Sequence, residues 1–387
     1  MQTVDVLVVG AGLAGLHTAR LLAERGLGVL VVDRRRSLAS GVRTTGIFVR
    51  RTLEDFDVPG HLLGPGVRDV VLYPPSRRAP VRLTSDRDEY RVADMPGVYE
   101  HARRAAERAG AQVRLGVRYE GLAHGVAELA GGAQDPVRVR FVVGADGARS
   151  RVARDLGLDV NRQLLVGAEI VQPMTASGDV PTFHCVLDPR IAPGYLGWVI
   201  DDGRHAHIGV AGYQHAMRGG LRQLLDRFAA DAPGRAVVSA GPTGTAERRG
   251  GPIPVGGILR RLACPRGLLV GDAAGAVSPL TAGGLDPCLR LSELAADVTE
   301  RYLRSGDETV LRQYDGGALR ARFRGRLALR RLFAGVRSPA VAEAAVAALR
   351  TGAGQAAARR VLFGDGSFPD VKAAAPGRGT RYAAPAP

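Results

Sequence analysis

The stretch from Val4 to Asp33, VDVLVVGAGLAGLHTARLLAERGLGVLVVD, constrains the fold more than any other part of the chain. It begins with a nearly continuous apolar run up to Val9, as expected for a parallel strand that is buried on both faces. A GAGLAG loop follows, then apolar residues at helical spacing up to Gly26, and a second apolar strand that ends at Asp33. A strand, a glycine loop, a helix and a second strand in this order predict a βαβ unit that opens a Rossmann-type α/β domain.

Each glycine of this loop has a separate physical task. Gly10 permits the tight turn out of the strand, Gly12 lets a pyrophosphate approach the backbone amides, and Gly15 lets the helix pack closely on the strand. The N-terminus of the helix carries about half a positive charge, which attracts phosphate. Asp33 can accept hydrogen bonds from both hydroxyls of a ribose. We therefore expect a dinucleotide site, for FAD or NAD, formed by Gly10, Gly12, Leu13, Ala14, Gly15, Asp33 and Arg34.

The overall composition does not point to a nucleic-acid partner. The formal net charge is +15, but almost all positive residues are arginines, with Lys372 the only lysine, and aromatic residues that could stack on bases make up only 5%. Cys185, Cys264 and Cys288 are odd in number and lack CxxC spacing, which favours the reducing cytoplasm and disfavours a structural metal site. The first residues lead directly into a strand pattern, and not into a signal peptide or a membrane span. We expect a cytoplasmic protein that acts on a small molecule and binds no metal.

Two further motifs combine a strand with a glycine and an aspartate. The strand 141–143 leads into Gly144-Ala145-Asp146-Gly147, and the strand 268–270 leads into Gly271-Asp272. In chain order, the patterns GxGxxG, GADGxxS and GDAA resemble those of the flavoprotein hydroxylase and geranylgeranyl reductase superfamily. The resemblance extends over about three quarters of the chain and selects FAD as the dinucleotide.

The resemblance also implies roles for individual residues. In that superfamily the GD aspartate, here Asp272, holds a ribityl hydroxyl of FAD, and the amides of the loop at 283–285 face the pyrimidine edge of the isoalloxazine. In relatives the DG aspartate, here Asp146, lies near the FAD pyrophosphate and takes part in binding reduced nicotinamide, and the resemblance implies the same role here. Since the chain has no second GxGxxG, NAD(P)H is expected to visit the FAD site transiently as reductant. The further cofactor-binding residues are then Arg43, Asp146, Gly147, Gly271, Asp272, Gly283, Gly284 and Leu285.

The chain departs from the superfamily pattern at several positions. Met95 occupies a position where relatives commonly have an arginine, so one cofactor contact is expected to be either missing or supplied by another residue, such as Arg103 or Arg104. The loop SGVRTTGI at 40–47 lacks a cysteine that reductase relatives often place near the flavin. The stretch 193–212 is similar to the reductase pattern Tyr-x-Trp-x-Phe-Pro followed by Gly-x-Gly, but only Trp198 and Gly209 match.

The residues that line the substrate cavity are expected in that same stretch. Trp198 matches the reductase pattern, and Tyr195 lies one position away from the patterned tyrosine. His184 and His207 are interpreted as surface or hydrogen-bonded core residues and not as catalytic groups. No catalytic side chain is assigned, because hydride chemistry resides in the flavin.

The motifs also predict how the chain divides into domains. The FAD-binding domain is expected to be discontinuous, from residues 1–60, 95–155 and 255–300. A β-sheet substrate domain, antiparallel and placed over the flavin, would come from 60–95 and 160–255, with a hairpin at 67–84 that turns at 74–77. A helical C-terminal region is predicted for 300–372, and a disordered tail for 373–387.

The arginine-rich stretch 319–336 has two interpretations. Its apolar residues can share one helical face, which fits a helix docked on the FAD domain with a solvated basic face. The alternative is a helix that lies on a membrane surface and admits a lipid substrate. The apolar face would consist of Leu319, Phe323, Leu327, Phe333 and Val336.

Taken together, the motifs predict an FAD-dependent oxidoreductase. A geranylgeranyl reductase-like enzyme that reduces carbon–carbon double bonds in an apolar substrate is slightly favoured. An NAD(P)H-dependent flavoprotein monooxygenase that hydroxylates a small or polycyclic molecule is the main alternative. A cyclase or isomerase that only binds the flavin is a third interpretation.

Overall fold

A computed structural model of the chain describes residues 1–131, 136–174, 180–233 and 246–363. Its strands are β1 Gln2–Val9, β2 Val29–Asp33, β3 Ile47–Val49, β4 Asp69–Tyr73, β5 Val81–Thr84, β6 Tyr90–Val92, β7 Gln112–Leu115, β8 Arg118–Ala123, β9 Val126–Ala130, β10 Val137–Gly144, β11 Leu164–Pro173, β12 Thr182–Val186, β13 Gly197–Asp201, β14 His205–Gly212, β15 Glu247–Pro254, β16 Ala263–Cys264 and β17 Gly267–Leu269. Its α-helices are α1 Leu13–Glu24, α2 Arg50–Asp55, α3 Met95–Arg108, α4 Arg151–Asp155, α5 Leu221–Ala230, α6 Leu285–Ser305, α7 Gly316–Ala321, α8 Arg324–Ala334, α9 Pro339–Ala348 and α10 Gly352–Leu362.

The first sheet has eight strands around a parallel centre. Its order is β16-β17-β10-β1-β2-β7, with β8 and β9 attached to β10, and the pairs from β17 to β7 are parallel. The apolar runs that predicted buried strands form β1, β2 and β10, at the centre of the largest core cluster. Because parallel strands end at one edge of a sheet, the loops after β1, β2, β10 and β17 all emerge there. These are the loops that carry the glycine and aspartate motifs.

The second sheet has seven strands in the order β15-β11-β14-β13-β12-β4-β5. The predicted hairpin is confirmed as β4 and β5, with Arg77 bonded back to Pro74 in the turn. The sheet is not purely antiparallel as predicted, because β12 pairs with β4 in parallel after the chain has passed through the first sheet. One face packs against α5. The other carries Trp198 and Cys185 and packs with β3, β6, α9 and α10.

Both sheets are assembled from separated parts of the chain. The first uses 2–33, 112–144 and 263–269, and the second uses 69–84 and 164–254. The predicted domain boundaries themselves stay a prediction, and the predicted tail at 373–387 lies outside the described residues. None of the helices in the described ranges is long and apolar enough to cross a membrane.

The C-terminal region is helical up to residue 362, but the predicted helix at 319–336 is two helices, α7 and α8. Leu319, Phe323 and Leu327 are buried as predicted, while Phe333 and Val336 are half-buried. The part of this stretch up to Leu327 is therefore docked on the body of the protein.

Candidate functional site

The glycines of the first loop separate into two kinds. A Cβ atom on Gly10, which has φ +109°, would lie 2.3 Å from the Ala145 carbonyl oxygen, and one on Gly15 would lie 1.9 Å from the Gly10 carbonyl oxygen. A Cβ atom on Gly12 would meet nothing within 4 Å. Packing of the polypeptide thus requires Gly10 and Gly15, whereas the space above Gly12, at the N-terminus of α1, is open to a ligand.

Asp33 ends β2 at this edge, as predicted. One of its oxygens accepts from the Ala11 N–H at 2.8 Å, and Arg35 binds both oxygens, with Nε at 3.1 Å and Nη2 at 3.0 Å. Burial acts to raise the pKa of Asp33, but the bonds from Arg35 and the backbone outweigh it, so the pKa lies below its ordinary value. The neighbouring Arg34, which was predicted to bind the cofactor, is exposed. The residue at the site is Arg35, whose guanidinium also lies 5.7 Å from the Tyr99 ring centre.

The side chain of Asp146 is engaged by the protein itself. One oxygen accepts from the Ser150 hydroxyl at 2.6 Å, and the other accepts from the N–H groups of Arg151 at 2.6 Å and Val152 at 3.1 Å. The carboxylate therefore closes the N-terminus of α4. Gly147, at φ +85°, faces open space. The carboxylate of Asp146 is thus directed into α4, and its predicted role at the cofactor stays a prediction.

Asp272 is the opposite case. It lies in a short 3-10 turn after β17, and its neighbour Gly271, at φ +58°, lies against α1, where a Cβ would come within 2.8 Å of Ala14. No hydrogen-bond donor among the described residues contacts the Asp272 carboxylate, and burial raises its pKa to about 6. A half-buried carboxylate without a donor can hold a hydroxyl group of a ligand.

The N-terminus of α6 lies directly beside Asp272. A Cβ on Gly284 would lie 3.5 Å from Asp272 Oδ1. The first bond at this helix end runs from the Cys288 N–H to the Gly284 carbonyl. The N–H groups that precede it, including that of Leu285, have no partner within the helix. Gly283 and Leu285 help to line a small cavity of about 40 Å³ at this helix end. The predicted loop 283–285 and the predicted aspartate are therefore brought together.

A buried network on β11, β13 and β14 covers the side of the second sheet that carries Trp198. Glu169 accepts from the Trp198 Nε1–H at 3.2 Å and from the Thr45 hydroxyl, and its other oxygen lies 3.2 Å from His207 Nδ1. His207 Nε2 lies 3.2 Å from Asp202 Oδ2. Burial acts to lower the pKa of His207, but the two carboxylates outweigh it and raise the pKa to about 9. His207 is therefore a hydrogen-bonded core residue, as interpreted, and it is charged at neutral pH.

Trp198 and Tyr195 are held in defined positions. A Cβ on Gly209 would lie 2.1 Å from the Trp198 ring, so the indole rests directly on the glycine that matched the reductase pattern. The Tyr195 hydroxyl donates to the Thr281 carbonyl in the loop before α6. Trp198 thus packs on the second sheet, and Tyr195 connects the segment before β13 to the loop before α6.

Neither residue proposed to replace the missing arginine has a free guanidinium group. Met95 is fully buried, and Gly46 has no room for a Cβ, which would lie 2.7 Å from Met95 Cγ. Arg103 pairs with Glu100 and Glu107, and Arg104 pairs with Glu100, all on the surface of α3. Their guanidinium groups are thus held by acidic residues of their own helix, which favours the alternative that this contact is missing.

Two further charged residues near the site, Arg249 and Glu169, are not predicted by the sequence motifs. Arg249 lies opposite Glu169 in the β11–β15 register, and its Nε is buried without a partner among the described residues. Glu169 could have been noticed in the sequence, because it is the single charged residue of the mostly apolar strand LLVGAEIVQP. The stem of Arg43 lies 3.3 Å from the Cβ position of Gly251, while Arg43 itself is exposed. This contact joins the predicted cofactor loop to the second sheet.

Comparison with known proteins agrees with this geometry. Residues 3–320 match the model of an FAD binding domain family. The chain is 30% identical over 338 residues to a digeranylgeranylglycerophospholipid reductase of Methanoculleus marisnigri, covering 80% of both chains. It is also 30% identical to digeranylgeranylglycerophospholipid reductase 1 of Methanopyrus kandleri, covering 79% of this chain and 83% of the relative.

Solved structures share the fold. A geranylgeranyl bacteriochlorophyll reductase-like protein from Thermoplasma acidophilum superposes with a TM-score of 0.80 at 23% identity, covering 94% of this chain and 98% of that one. A probable FAD-dependent monooxygenase from Pseudomonas aeruginosa superposes with a TM-score of 0.64 at 19% identity, covering 89% and 99%. The fold thus occurs in both kinds of flavoprotein that the sequence motifs suggested.

Proposed function

Because this chain belongs to the FAD-binding domain family and, within it, to the geranylgeranyl reductase-like branch, we propose that it reduces carbon–carbon double bonds in an apolar, prenyl-type substrate. It is an FAD-dependent oxidoreductase. The observation that carries the proposal is the pair of relatives at 30% identity, both named as reductases of a geranylgeranyl lipid and both matched over about four fifths of their length. The monooxygenase shares only the fold.

The residues of the site fit FAD. The open space at Gly12 suits the pyrophosphate, because the N-terminus of α1 points its N–H groups there. Asp272 would hold a ribityl hydroxyl, which supplies the donor that its carboxylate lacks. When bound and reduced by NAD(P)H, FAD would supply a hydride to one carbon of the double bond, and a proton from solvent would complete the reduction at the other carbon. The N–H groups at the start of α6 would stabilise negative charge at the pyrimidine edge of the reduced ring.

Side chains of the second sheet would complete the substrate side. Trp198 and Tyr195 present aromatic surfaces beside the cluster formed by β4, β5, β6 and the C-terminal helices. Glu169 holds both Trp198 and Thr45, so the indole and the loop 40–47 keep a fixed relation. We propose that this apolar wall orients the double bond and excludes water from the reacting face.

The electron donor belongs to the proposal as well. NAD(P)H would reach the flavin from outside as a transient visitor, since the sequence has a single GxGxxG and that motif serves FAD. The enzyme would work in the cytoplasm, with peripheral contact to the membrane that holds its lipid substrate.

An anaerobic reduction assay tests the function. Protein reduced with NADPH, NADH or dithionite is mixed without oxygen with geranylgeranyl-bearing lipids, and the products are weighed by mass spectrometry. We expect products heavier by two hydrogens for each double bond reduced. A product that instead carries an oxygen atom from labelled dioxygen would replace the reductase assignment with a hydroxylase.

A further inference from the structure

Helix α8 departs from an ordinary docked helix, because it buries an arginine and exposes two of its leucines. Arg330 is buried, donates to the Gly194 carbonyl and lies over the rings of Tyr195 and Tyr213. Arg326 is half-buried and donates to the Ser278 hydroxyl at 3.0 Å. A soluble helix normally buries its leucines and exposes its arginines.

Two leucines of α8 lie on the outer face instead. Leu332 is 70% exposed and Leu329 is 39% exposed, and Val341 near the start of α9 is 52% exposed. These are three of the five large hydrophobic side chains that are exposed among the described residues; Met1 and Val180 are the others. Exposed apolar residues gathered in one short stretch mark an interaction surface more often than scattered ones do.

The charged residues that flank these leucines in the sequence are all positive. Residues 316–342 contain seven arginines and no aspartate or glutamate. At 100° per residue, the exposed Arg324 and Arg331 fall on one flank of α8, Leu329 falls on the other flank, and Leu332 falls between them. An apolar strip bordered by arginines is the arrangement of helices that lie at the interface of anionic membranes.

A second copy of the chain fits this surface less well. A two-fold interface would place the same patch on both sides and so bring arginines against arginines, with no acid in the patch to separate them. A bilayer with anionic headgroups offers negative charge to the arginines and acyl chains to the leucines.

We propose that the outer face of α8, with Leu329, Leu332, Arg324 and Arg331, docks on an anionic phospholipid surface. The inner face of the same helix holds Ser278 and Gly194, next to the α6 loop and Tyr195. Docking would therefore bring the rim of the substrate site to the membrane. The delivery of lipid through this rim rests on the proposed reductase function, whereas the docking itself does not.

Vesicle sedimentation of the full-length, FAD-loaded protein tests the docking. Vesicles of phosphatidylglycerol and phosphatidylcholine are compared with vesicles of phosphatidylcholine alone at physiological salt. We expect the protein to sediment with the anionic vesicles. The double variant Leu329→Ser/Leu332→Ser should lower the partition coefficient at least about tenfold, because it removes the apolar contact. Arg324→Gln/Arg331→Gln should lower it by about tenfold and weaken its dependence on salt.

Val180→Ser is the matched control, since Val180 is 66% exposed but lies far along the chain from α8. It should bind vesicles like the wild type. All variants should keep their melting temperature, their FAD affinity and their reduction of detergent-solubilised substrate, while the α8 variants lose reduction of substrate embedded in anionic vesicles.

Three outcomes would overturn the docking proposal. These are wild-type protein that stays in the supernatant, a leucine variant that sediments like Val180→Ser, and a dimer in analytical ultracentrifugation that Leu332→Ser abolishes without any vesicle binding. Failure of the reductase proposal looks different, because vesicle binding would persist while no lipid double bond is reduced even in detergent.

Discussion

Replacing Asp272 with asparagine should stabilise the apoprotein and weaken FAD binding at the same time. The Asp272 carboxylate has no donor among the described residues, and burial raises its pKa from 3.8 to about 6. A shift of about two units corresponds to an ionisation cost on the order of 3 kcal/mol. Because the folded pKa lies above the unfolded one, the folded protein has its full stability below about pH 4, where Asp272 is protonated in both states. It loses that stability as the pH rises through about 6, where the buried carboxyl must ionise. Asp272→Asn removes the cost, so at pH 8 the apo variant should be more stable than the wild type by up to that amount.

FAD binding should respond in the opposite direction. A hydroxyl that donates to a carboxylate contributes about 1.5–3 kcal/mol, more than a hydroxyl that donates to an amide oxygen. We therefore expect the dissociation constant for FAD to rise by about tenfold to hundredfold in Asp272→Asn. A residue with a purely structural role would not produce this pair of opposite effects.

Urea unfolding of flavin-free protein at pH 5 and pH 8, together with FAD titration by fluorescence quenching, measures both effects. Asp188→Asn is the matched control, because Asp188 is equally an aspartate within the fold but is bound by Arg190 through both oxygens. The control should destabilise the apoprotein and leave FAD affinity unchanged. The reasoning is refuted if Asp272→Asn destabilises the apoprotein at pH 8 as the control does and binds FAD like the wild type.

Three other predictions follow from the same contacts. Gly12→Val places its side chain in open space, so the apoprotein should unfold within about 1 kcal/mol of the wild type while FAD affinity falls more than about hundredfold. In the paired variant Gly15→Ala, the new Cβ would lie 1.9 Å from a backbone oxygen and should destabilise the apoprotein by at least about 1–3 kcal/mol. Equal unfolding curves for the two variants would contradict the argument. His207 has a pKa of about 9 in the fold against 6.5 for the free side chain, so the stability it contributes is complete below about pH 6.5 and is lost as the pH rises through 9. In His207→Gln, the free energy of unfolding should fall less between pH 7 and pH 10 than in the wild type. If urea unfolding gives the same dependence on pH for both proteins, the ion pairs of His207 contribute nothing to stability. Gly209→Ala should displace the ring of Trp198, the single tryptophan, which would shift its fluorescence and raise KM for the apolar substrate more than it changes kcat; an unaltered emission spectrum would count against the contact.

The motifs of the first sheet could be predicted because they follow from local rules. Gly10 and Gly15 are required within a few residues of a strand and a helix, and an apolar run followed by glycine or aspartate marks the end of a buried parallel strand. The edge where such strands end is the same for all of them, so the sequence alone indicated that Asp33 and Asp272 belong to one site. The family resemblance then selected FAD, and the FAD-binding domain match confirms that choice.

The direction of individual side chains was decided only by tertiary packing. Arg34 and Arg35 are adjacent arginines that follow β2, yet Arg35 binds Asp33 while Arg34 is exposed to solvent. The carboxylate of Asp146 bonds to α4, although its motif pointed to the cofactor.

The network on the second sheet brings together residues that are far apart in the chain. Glu169 and Thr45 are separated by 124 positions, and Glu169 and His207 by 38. A local sequence pattern cannot predict these hydrogen bonds, because they depend on which strands become neighbours in the sheet. In α8, likewise, the periodicity placed Leu327 correctly in the core. The burial of Arg330 was decided by the carbonyl of Gly194 and two aromatic rings, which only the folded chain brings to that helix.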